Sequence, residues 1–572
     1  MESRERLWHI KDEPPRASWL ARKLGVSRLV AALLLNRDIS TPDSAASFLA
    51  PRLADVSDPF LLKDMDSAVE LIGNGIAAKK RITIYGDYDA DGLTATALLV
   101  DFFSRLSAPV SFYIPHRLDE GYGLNETAIK AIAEGGTNLL ITVDCGISST
   151  SEIALAQRLG LEVVVTDHHQ IPGDFLPVCP TINPMRPDSS FPFRDLSGVG
   201  LAFYLVIAVR AHLREQGFFN EGPEPDLRSY LDLVALGTVA DIVPLVGENR
   251  IFVKRGLTTL REGQRPGIKA LREVSGIKED QVLTTDDIAF RLAPRLNALG
   301  RLGSATSAVR MLTTGSESEA ESTAQRMDFL NAQRQALESR ITLESREKIE
   351  GMEDLDTRRT LVLFDPKWHR GVVGIVASKI VEQYYRPTLI LALEGDFLKG
   401  SGRSIAGFDL YEALSDLRDL LDHFGGHHYA AGLSLHAGKV GDFCKRFEEI
   451  ASKRIEPDYL IPRLEADAAL DLDAVTPQLL KELEMLMPYG YGNPQPLFYA
   501  GPVEVTSSRV VGNNHLRLKV RQRGITFDCI AFGKAPFHPL DGASVDILFH
   551  IGTNTWQGIE SIQLTVVDIK VS

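Results

Sequence analysis

Cysteine is scarce in this sequence: Cys145, Cys179, Cys444 and Cys529 are the only four in 572 residues, and no two form a CxxC pair. That spacing excludes a disulfide framework and a zinc knuckle. No apolar stretch approaches the ~18 uncharged residues a membrane span needs, so no membrane partner is expected. The opening MESRERLWHIKDEPPR lacks the apolar centre of a secretory leader, which points to a cytoplasmic protein. Basic residues are outnumbered, 62 Lys and Arg against 76 Asp and Glu, for a net charge of −14. A chain coated by nucleic acid is disfavoured by that balance, although a local basic groove is not, because binding depends on where charge sits. Repeats, low-complexity tracts and heptads are absent too, so a monomer is expected.

What is present is ordinary in bulk, 44% hydrophobic and 24% charged residues, and long enough for about two to four domains. Residues 1–50 read as a segment of short helices, with LVAALLLNR and SAASFLAP as its apolar parts. Across 51–315, short β-branched runs (RITIYGD, SFYIPH, LLITVDCG, LEVVVTDHH) alternate with helical stretches. This alternation predicts a parallel sheet with helices on both faces. Residues 316–350 contain no Gly or Pro and space Ala320, Ala324, Met327, Leu330, Leu337 and Ile341 helically. Such a helix spans about 50 Å and can connect two domains. A second α/β pattern occupies 351–460, and five short strands in 461–572 suggest a small barrel or sandwich.

The densest chemistry lies in GDYDADG, residues 86–92, where Asp87, Asp89 and Asp91 follow the apolar run ITIY. Like charges this close repel by on the order of 1 kcal/mol per pair at a surface, so a solvating turn or a cation must answer them. In an open parallel sheet, ligands bind beyond the carboxyl ends of the strands. LLITV ends in Asp144, VVVT ends in Asp167, His168 and His169, and Asp241 follows the apolar run YLDLVALGTV. A lone Asp after a strand is most often a helix N-cap or a turn former, but four such coincidences at one sheet edge point to a shared role. Carboxylates with an imidazole suit Mn²⁺ or Mg²⁺ better than zinc. Their number suits a pair of ions bridged by one carboxylate, a device of phosphoryl transfer. Gly86 and Gly92 are expected to let the backbone turn closely there.

DYDAD, VDCG, TDHH and VAD, in this order and spacing, resemble the four motifs of the DHH phosphoesterase superfamily. GSGRS and GGHHYAAG are similar to its associated domain, DHHA1, and PYGYGNPQPLF before a small β domain is similar to the end of the bacterial RecJ family of exonucleases. The resemblance covers nearly the whole chain and is weakest over residues 1–50. It implies Asp89 as a ligand of a first ion, Asp144 as the bridging carboxylate, and Asp91, His168 and Asp241 as ligands of a second. It places His169 on the scissile phosphate. Asp167 is read as orienting the imidazoles. Many superfamily members carry a histidine where this chain has Tyr85; the first ion then lacks that ligand or takes Asp87 in its place.

The remaining segments speak to substrate. In GSGRS the glycines admit a backbone close to phosphate and Arg403 offers a matching fork. Gly425, Gly426 and His427 of FGGHHYAAG are candidates for the same task. WHRGVVGIVASKI puts His369 and Arg370 before a helix start that favours an anion, and APRLNALGRLG places Arg295, Asn297 and Arg301 together. In HLRLKVRQRG, Arg517, Lys519 and Arg521 share one strand face opposite Leu516, Leu518 and Val520. That face suits either a nucleic-acid backbone or a charged edge that blocks aggregation. The resemblance decides for an OB-fold that binds single-stranded DNA. It implies a 5′-to-3′ exonuclease of DNA repair and recombination that uses two metal ions and releases mononucleotides, with a single-strand-binding protein and a helicase as partners. The alternatives are a phosphoesterase for short oligonucleotides, cyclic dinucleotides or pyrophosphate, and an inactive DNA-binding scaffold. The first conflicts with the long helix and β domain, the second with the intact acids.

Overall fold

A computed structural model describes residues 6–571 except 118, 174, 176, 557 and 558. Residues 1–5, the start of the expected helical segment and of the stretch read for a leader, lie outside the described residues, as does residue 572. The first α/β domain is built on five parallel strands in the spatial order Val110–Tyr113, Ile82–Tyr85, Leu139–Val143, Glu162–Thr166 and Thr181–Ile182. The strands are apolar on both faces, as a doubly covered sheet requires. Ile82, Ile84, Leu139, Ile141 and Val164 pack with helices Met65–Ala77, Ala90–Arg105 and Gly198–Glu215. Tyr85, Leu140, Val163 and Val165 pack with helices Glu126–Glu134 and Thr150–Arg158 on the other side. Among the described residues no helix is long and apolar enough to cross a membrane.

The long helix runs Glu317–Glu350. Its first half buries Ala320, Ala324, Met327 and Leu330 in the core of the first domain, and its second half buries Ile341 and Ile349 in the core of the second. One rigid rod therefore belongs to two cores, which fixes the domains against each other. The second domain has the mixed sheet order His423–His427, Ala430–His436, Phe397–Arg403, Thr388–Glu394, Leu361–Asp365. Only the last two strands pair in parallel.

The C-terminal strands Phe498–Val511, His515–Gln522, Ile525–Ala531, Ile559–Val571 and Ser544–Trp556 close into a barrel, because the first also pairs with the last. Its core takes Leu516, Leu518 and Val520, the apolar half of the alternating strand. The N-terminal segment differs from the sequence expectation. Leu7–Ile10 is a strand, parallel to Arg463–Ala466. The helices Ala17–Leu24, Arg28–Leu35 and Pro42–Leu49 share the barrel's core through Leu20, Leu33, Leu34 and Phe48. Helices of eight residues cannot bury an apolar face alone, and here the distant barrel region covers them. Arg250, fully buried, clamps the junction by donating to the carbonyls of Phe48 (2.8 Å), Met487 (2.9 Å), Met485 (3.2 Å) and Pro488 (3.3 Å).

Candidate active site

Three strand ends deliver the acids and imidazoles to one edge: Ile82–Tyr85 leads to Asp87, Asp89 and Asp91, Leu139–Val143 to Asp144, and Glu162–Thr166 to Asp167, His168 and His169. Asp241 caps the C-terminal end of helix Leu231–Ala240. Asp87, Asp89 and Asp144 offer ligand atoms that all lie within 4.8 Å of one another, and so do Asp91, His168 and Asp241. Asp144 stands between the two groups. Its Oδ1 is 3.0 Å from His168 Nε2, which is 3.6 Å from Asp241 Oδ2 and 3.9 Å from Asp91 Oδ2.

Local backbone chemistry explains these placements. Asp89 is the N-cap of helix Ala90–Arg105 and accepts from the amides of Asp91 (3.0 Å) and Gly92 (3.1 Å), so one residue both caps the helix and offers an oxygen to the acid group. Asp91 accepts from the amides of Gly198 (2.6 Å) and Val199 (2.9 Å), where the N-terminus of helix Gly198–Glu215 favours negative charge. Asp144 has φ of 61°, a left-handed conformation that Asp tolerates better than most residues. A Cβ on Gly198 would sit 2.7 Å from Asp144 Cβ, and one on Gly92 would sit 2.7 Å from Asp87 Cβ, so both positions exclude a side chain. Gly86 has no left-handed backbone; it is needed because Thr96 packs against it. The Tyr85 hydroxyl donates to the Gly123 carbonyl at 2.9 Å and its ring stacks on Tyr113. Asp87, and not Tyr85, therefore faces the first group.

The electrostatics call for cations. Asp87 Oδ1, Asp144 Oδ1, Asp241 Oδ2 and His168 Nε2 are buried without a hydrogen-bond partner among the described residues. Each such atom costs about 1–3 kcal/mol if left alone. Burial, reinforced by neighbouring carboxylates, pushes Asp87, Asp144 and Asp241 well above the usual carboxylate range and Asp91 up to about 7. Burial pushes His168 down to about 4, leaving a neutral ring with a lone pair to give. Hard oxygen donors with one imidazole fit a pair of divalent cations of the manganese or magnesium kind. His169 sits on the rim, 40% exposed. Its Nδ1 lies 2.8 Å from Asp167 Oδ1 and 3.0 Å from the Tyr122 hydroxyl. Burial alone would lower its pKa, but the hydrogen bond and charge of Asp167 raise it overall. Asp167 is held below the carboxylate range against its own burial by the hydrogen bond and charge of His169 and by the amides of Ile147 and His169. Its hydrogen bonds orient His169 and do not reach the ring of His168.

Next to the acids opens a cavity of about 580 Å³ between the two α/β domains. Tyr88 and Tyr122 line its near side, and Arg117, Arg301, Arg370, Lys399, Ser401 and Arg403 supply its polar walls. Glu394 engages Arg370 and Lys399, each at 3.1 Å. Arg117, Arg301 and Arg403 have no carboxylate within ion-pair distance among the described residues. Burial, then the charges of Arg117, Arg334 and Arg403, pushes Arg301 down to about 10. Burial also lowers Arg403. Unpaired guanidiniums gathered in a pocket are an anion site.

Of the residues expected to bind substrate, Arg301, Arg370, Arg403 and Gly425 line this cavity, whereas Gly426, His427 and His369 are not among its walls. Gly426 and His427 belong to the hairpin strand His423–His427, and His427 is exposed. The His369 ring accepts from the Gly371 amide at 3.1 Å. Arg295 is turned away, its guanidinium taken by Asp328 (2.8 Å) and the carbonyls of Arg291 (2.6 Å) and Val274 (3.2 Å), so its role is to fasten helix Ala293–Leu302 to the long helix. The glycines of GSGRS lie within strand Phe397–Arg403, where Gly400 and Gly402 admit the neighbouring strand and helix and leave the cavity's polar contacts to the side chains. On the barrel, Arg521 forms a two-pronged pair with Glu504 and Arg517 lies 3.5 Å from Asp528. The neighbouring strands thus offset a face that is wholly basic in its own strand, and Lys519 remains exposed. Sequence reasoning missed Arg117, Tyr122 and Ser401. Arg117 follows strand Val110–Tyr113 at the same sheet edge as the acids, and the strand-end rule would have found it.

Family models match in three places: the DHH family N-terminal domain over residues 81–238, the DHHA1 domain over 358–453 and the RecJ OB domain over 466–568. The single-stranded-DNA-specific exonuclease RecJ of Bacillus subtilis is 39% identical over 573 residues, 99% of this chain and 71% of that protein. The Escherichia coli exonuclease of the same name is 39% identical over 525 residues, 89% of this chain and 90% of its own length. The crystal structure of Thermus thermophilus RecJ in complex with Mn²⁺ superposes with a TM-score of 0.83 at 32% identity, covering 100% of this chain and 80% of the other. The chain belongs to the RecJ family of single-stranded-DNA-specific exonucleases.

Proposed function

We propose that this protein is a metal-dependent exonuclease that hydrolyses single-stranded DNA from its 5′ end and releases mononucleotides, serving DNA repair and recombination in the cytoplasm. The observation that carries this reading is the adjacency of two clusters of opposite sign, largely buried carboxylates at the sheet edge and half-buried guanidiniums across Tyr88. A terminal phosphate seated on Arg117, Arg301 and Arg403 would place the next phosphodiester over the acids, and an enzyme so built cuts at ends. The 5′ polarity is what the resemblance to the family implies.

Asp89, Asp91, Asp144, His168 and Asp241, with Asp87 in place of Tyr85, would hold two divalent ions. Such ions supply positive charge against the phosphate and a nucleophile at neutral pH. The chain's own groups do the rest. Asp144 fixes the separation of the two ligand groups. The Nδ1 edge of His169 is engaged by Asp167 and Tyr122, which leaves Nε2 to hold a proton toward the phosphate as its charge grows. The cavity is of nucleotide scale and admits one strand end. The barrel, with exposed Lys519 beside the acid-paired Arg517 and Arg521 on one strand face, would follow the trailing strand. The working division is 1–50, 51–315, 316–350, 351–460 and 461–572, with the helices of the first segment packed on the last. A single-strand-binding protein and a helicase are the partners this role implies, and a monomer suffices for it.

Incubation with Mn²⁺ of a 5′-phosphorylated linear single strand, its blunt duplex and a covalently closed single-stranded circle tests the proposal. Rapid loss of the linear strand alone, stopped by a chelator, is expected. Cleavage of the circle would refute an end-directed mechanism, and a duplex digested as fast as the single strand would remove the strand specificity.

A further inference from the structure

The cationic cavity and the acid cluster are joined by more than proximity. Arg117 and Tyr122 stand close in the sequence and both line the cavity, yet each reaches a different partner. The Arg117 guanidinium lies over the Tyr88 ring, 4.9 Å from its centroid. The Tyr122 hydroxyl lies 3.2 Å from the Asp144 carbonyl and 3.0 Å from His169 Nδ1. The turn that carries them is tied to itself. The Glu120 carboxylate accepts from the Tyr113 hydroxyl (2.6 Å) and from the His116 amide, and the Glu120 amide donates to the His116 carbonyl at 2.8 Å.

Tyr122 is also placed by its neighbours. Gly121 and Gly123 have φ of 82° and 85°, values that favour glycine, and the ring between them meets that of His169 edge-on. The Tyr85 hydroxyl holds the Gly123 carbonyl at 2.9 Å and accepts from the Asn125 side chain at 3.3 Å. Tyr85, at the position where many superfamily members carry a histidine, thus fastens the residue next to Tyr122.

A tyrosine hydroxyl has one proton to give. Given to the Asp144 carbonyl, it leaves the oxygen as an acceptor toward His169 Nδ1, which also donates to Asp167 Oδ1 at 2.8 Å. Nδ1 is fixed as a donor between two acceptors, and the ring cannot swing without losing both. The two holders differ in reach. Asp167 is buried, whereas Tyr122 is 51% exposed and stands in the cavity wall. Of the two, only Tyr122 can respond to what the cavity holds.

We propose that Tyr122 is a positioning residue that couples the end-phosphate pocket to His169. A terminal phosphate that engages Arg117 steadies the tied turn, and Tyr122 then holds the imidazole toward the scissile bond. The proposal rests on the exonuclease reading above. The terminal phosphate therefore speeds the cut as well as strengthening binding, and the two effects reside in different residues: turnover in Arg117 and Tyr122, affinity in Arg403.

The test is single-turnover release of the first residue, at saturating Mn²⁺, from strands that differ only in a 5′-phosphate or 5′-hydroxyl. The first release is read because each cut makes a new end. The wild type should show a maximal rate ~10-fold higher on the phosphorylated strand, the worth of one well-aligned hydrogen bond. Tyr122→Phe should lower that rate about tenfold, to the level of the hydroxyl strand, with the half-saturating DNA concentration and the Mn²⁺ Kd within about twofold of wild type. Arg117→Ala should lose the same rate advantage. In a His169→Ala background, Tyr122→Phe should cost nothing more. Equal losses on both strands, equal wild-type rates on them, or a further loss in the His169→Ala background would overturn the coupling and leave the exonuclease intact. A Mn²⁺ Kd weakened in step with the rate would also overturn it, by showing Tyr122 to act on the metal groups. A wild type that degrades no linear single strand would remove the reading beneath it and this proposal together.

Discussion

The two charged clusters that flank Tyr88, one buried and one half-buried, make an instructive pair. On one side Asp87, Asp144 and Asp241 are packed with oxygen atoms left unpartnered, and on the other Arg117, Arg301 and Arg403 share a cavity with no acid in ion-pair contact among the described residues. The clusters are close enough to feel each other, since Arg117 pulls on the carboxyl of Asp87 and Asp89 on the guanidinium of Arg301. Mutual salt bridges across the cleft would have relieved both at once. Keeping them apart costs stability and leaves two sites of opposite charge, the first suited to cations and the second, on the reading proposed above, to phosphate.

The strongest way to break that comparison is Asp144→Ala, which removes the group proposed to be shared by both ligand sets. Cleavage should fall to background and Mn²⁺ uptake should drop; a retained rate would remove Asp144 from its bridging place. On the cationic side, Arg403→Ala should raise KM for 5′-phosphorylated ends about ten- to hundredfold, the worth of one charge-assisted hydrogen bond. The same variant should leave the KM for 5′-hydroxyl ends nearly as it was, so an equal rise for both ends would place the terminal phosphate elsewhere. Asp167→Asn, which loosens His169 while keeping its shape, should lower kcat by about tenfold, with KM and metal affinity little changed.

A smaller effect comes from pH. Asp91 titrates at about 7 in the fold and at about 3.9 when unfolded. Between these values the metal-free fold binds the extra proton, so its stability falls as pH rises through that window and is lowest above 7. Manganese replaces the proton, and a hundredfold excess over its Kd adds ~2.7 kcal/mol. The Mn²⁺-induced rise in unfolding midpoint should therefore be greater at pH 8 than at pH 5.5, and equal rises at the two pH values would contradict this assignment. Smallest of all, Arg295→Ala should cost stability through the lost tie to Asp328 but shift KM by less than about threefold.

The acid cluster was legible because strand ends are legible. Short apolar runs that stop at Asp or His fix both the element and the edge, and the parallel topology then gathers them. The cationic site was half legible for a different reason. Arg295 and Arg301 sit on one helix, roughly 240° apart around its axis, and only the position of the long helix shows that the first faces Asp328 and the second the cleft. Strand register hid the partners of Arg517 and Arg521, because Asp528 and Glu504 come from neighbouring strands. The N-terminal helices carry no local mark of a partner core more than 400 residues away.

The account stands on the acids holding two cations with Asp144 between them. The most direct measurement is the number of Mn²⁺ ions bound per chain, by equilibrium dialysis and by anomalous scattering from a manganese-soaked crystal. Two ions are expected, one among Asp87, Asp89 and Asp144 and one among Asp91, His168 and Asp241, with Asp144 touching both. A single ion, or two ions with Asp144 touching neither or only one, would contradict it.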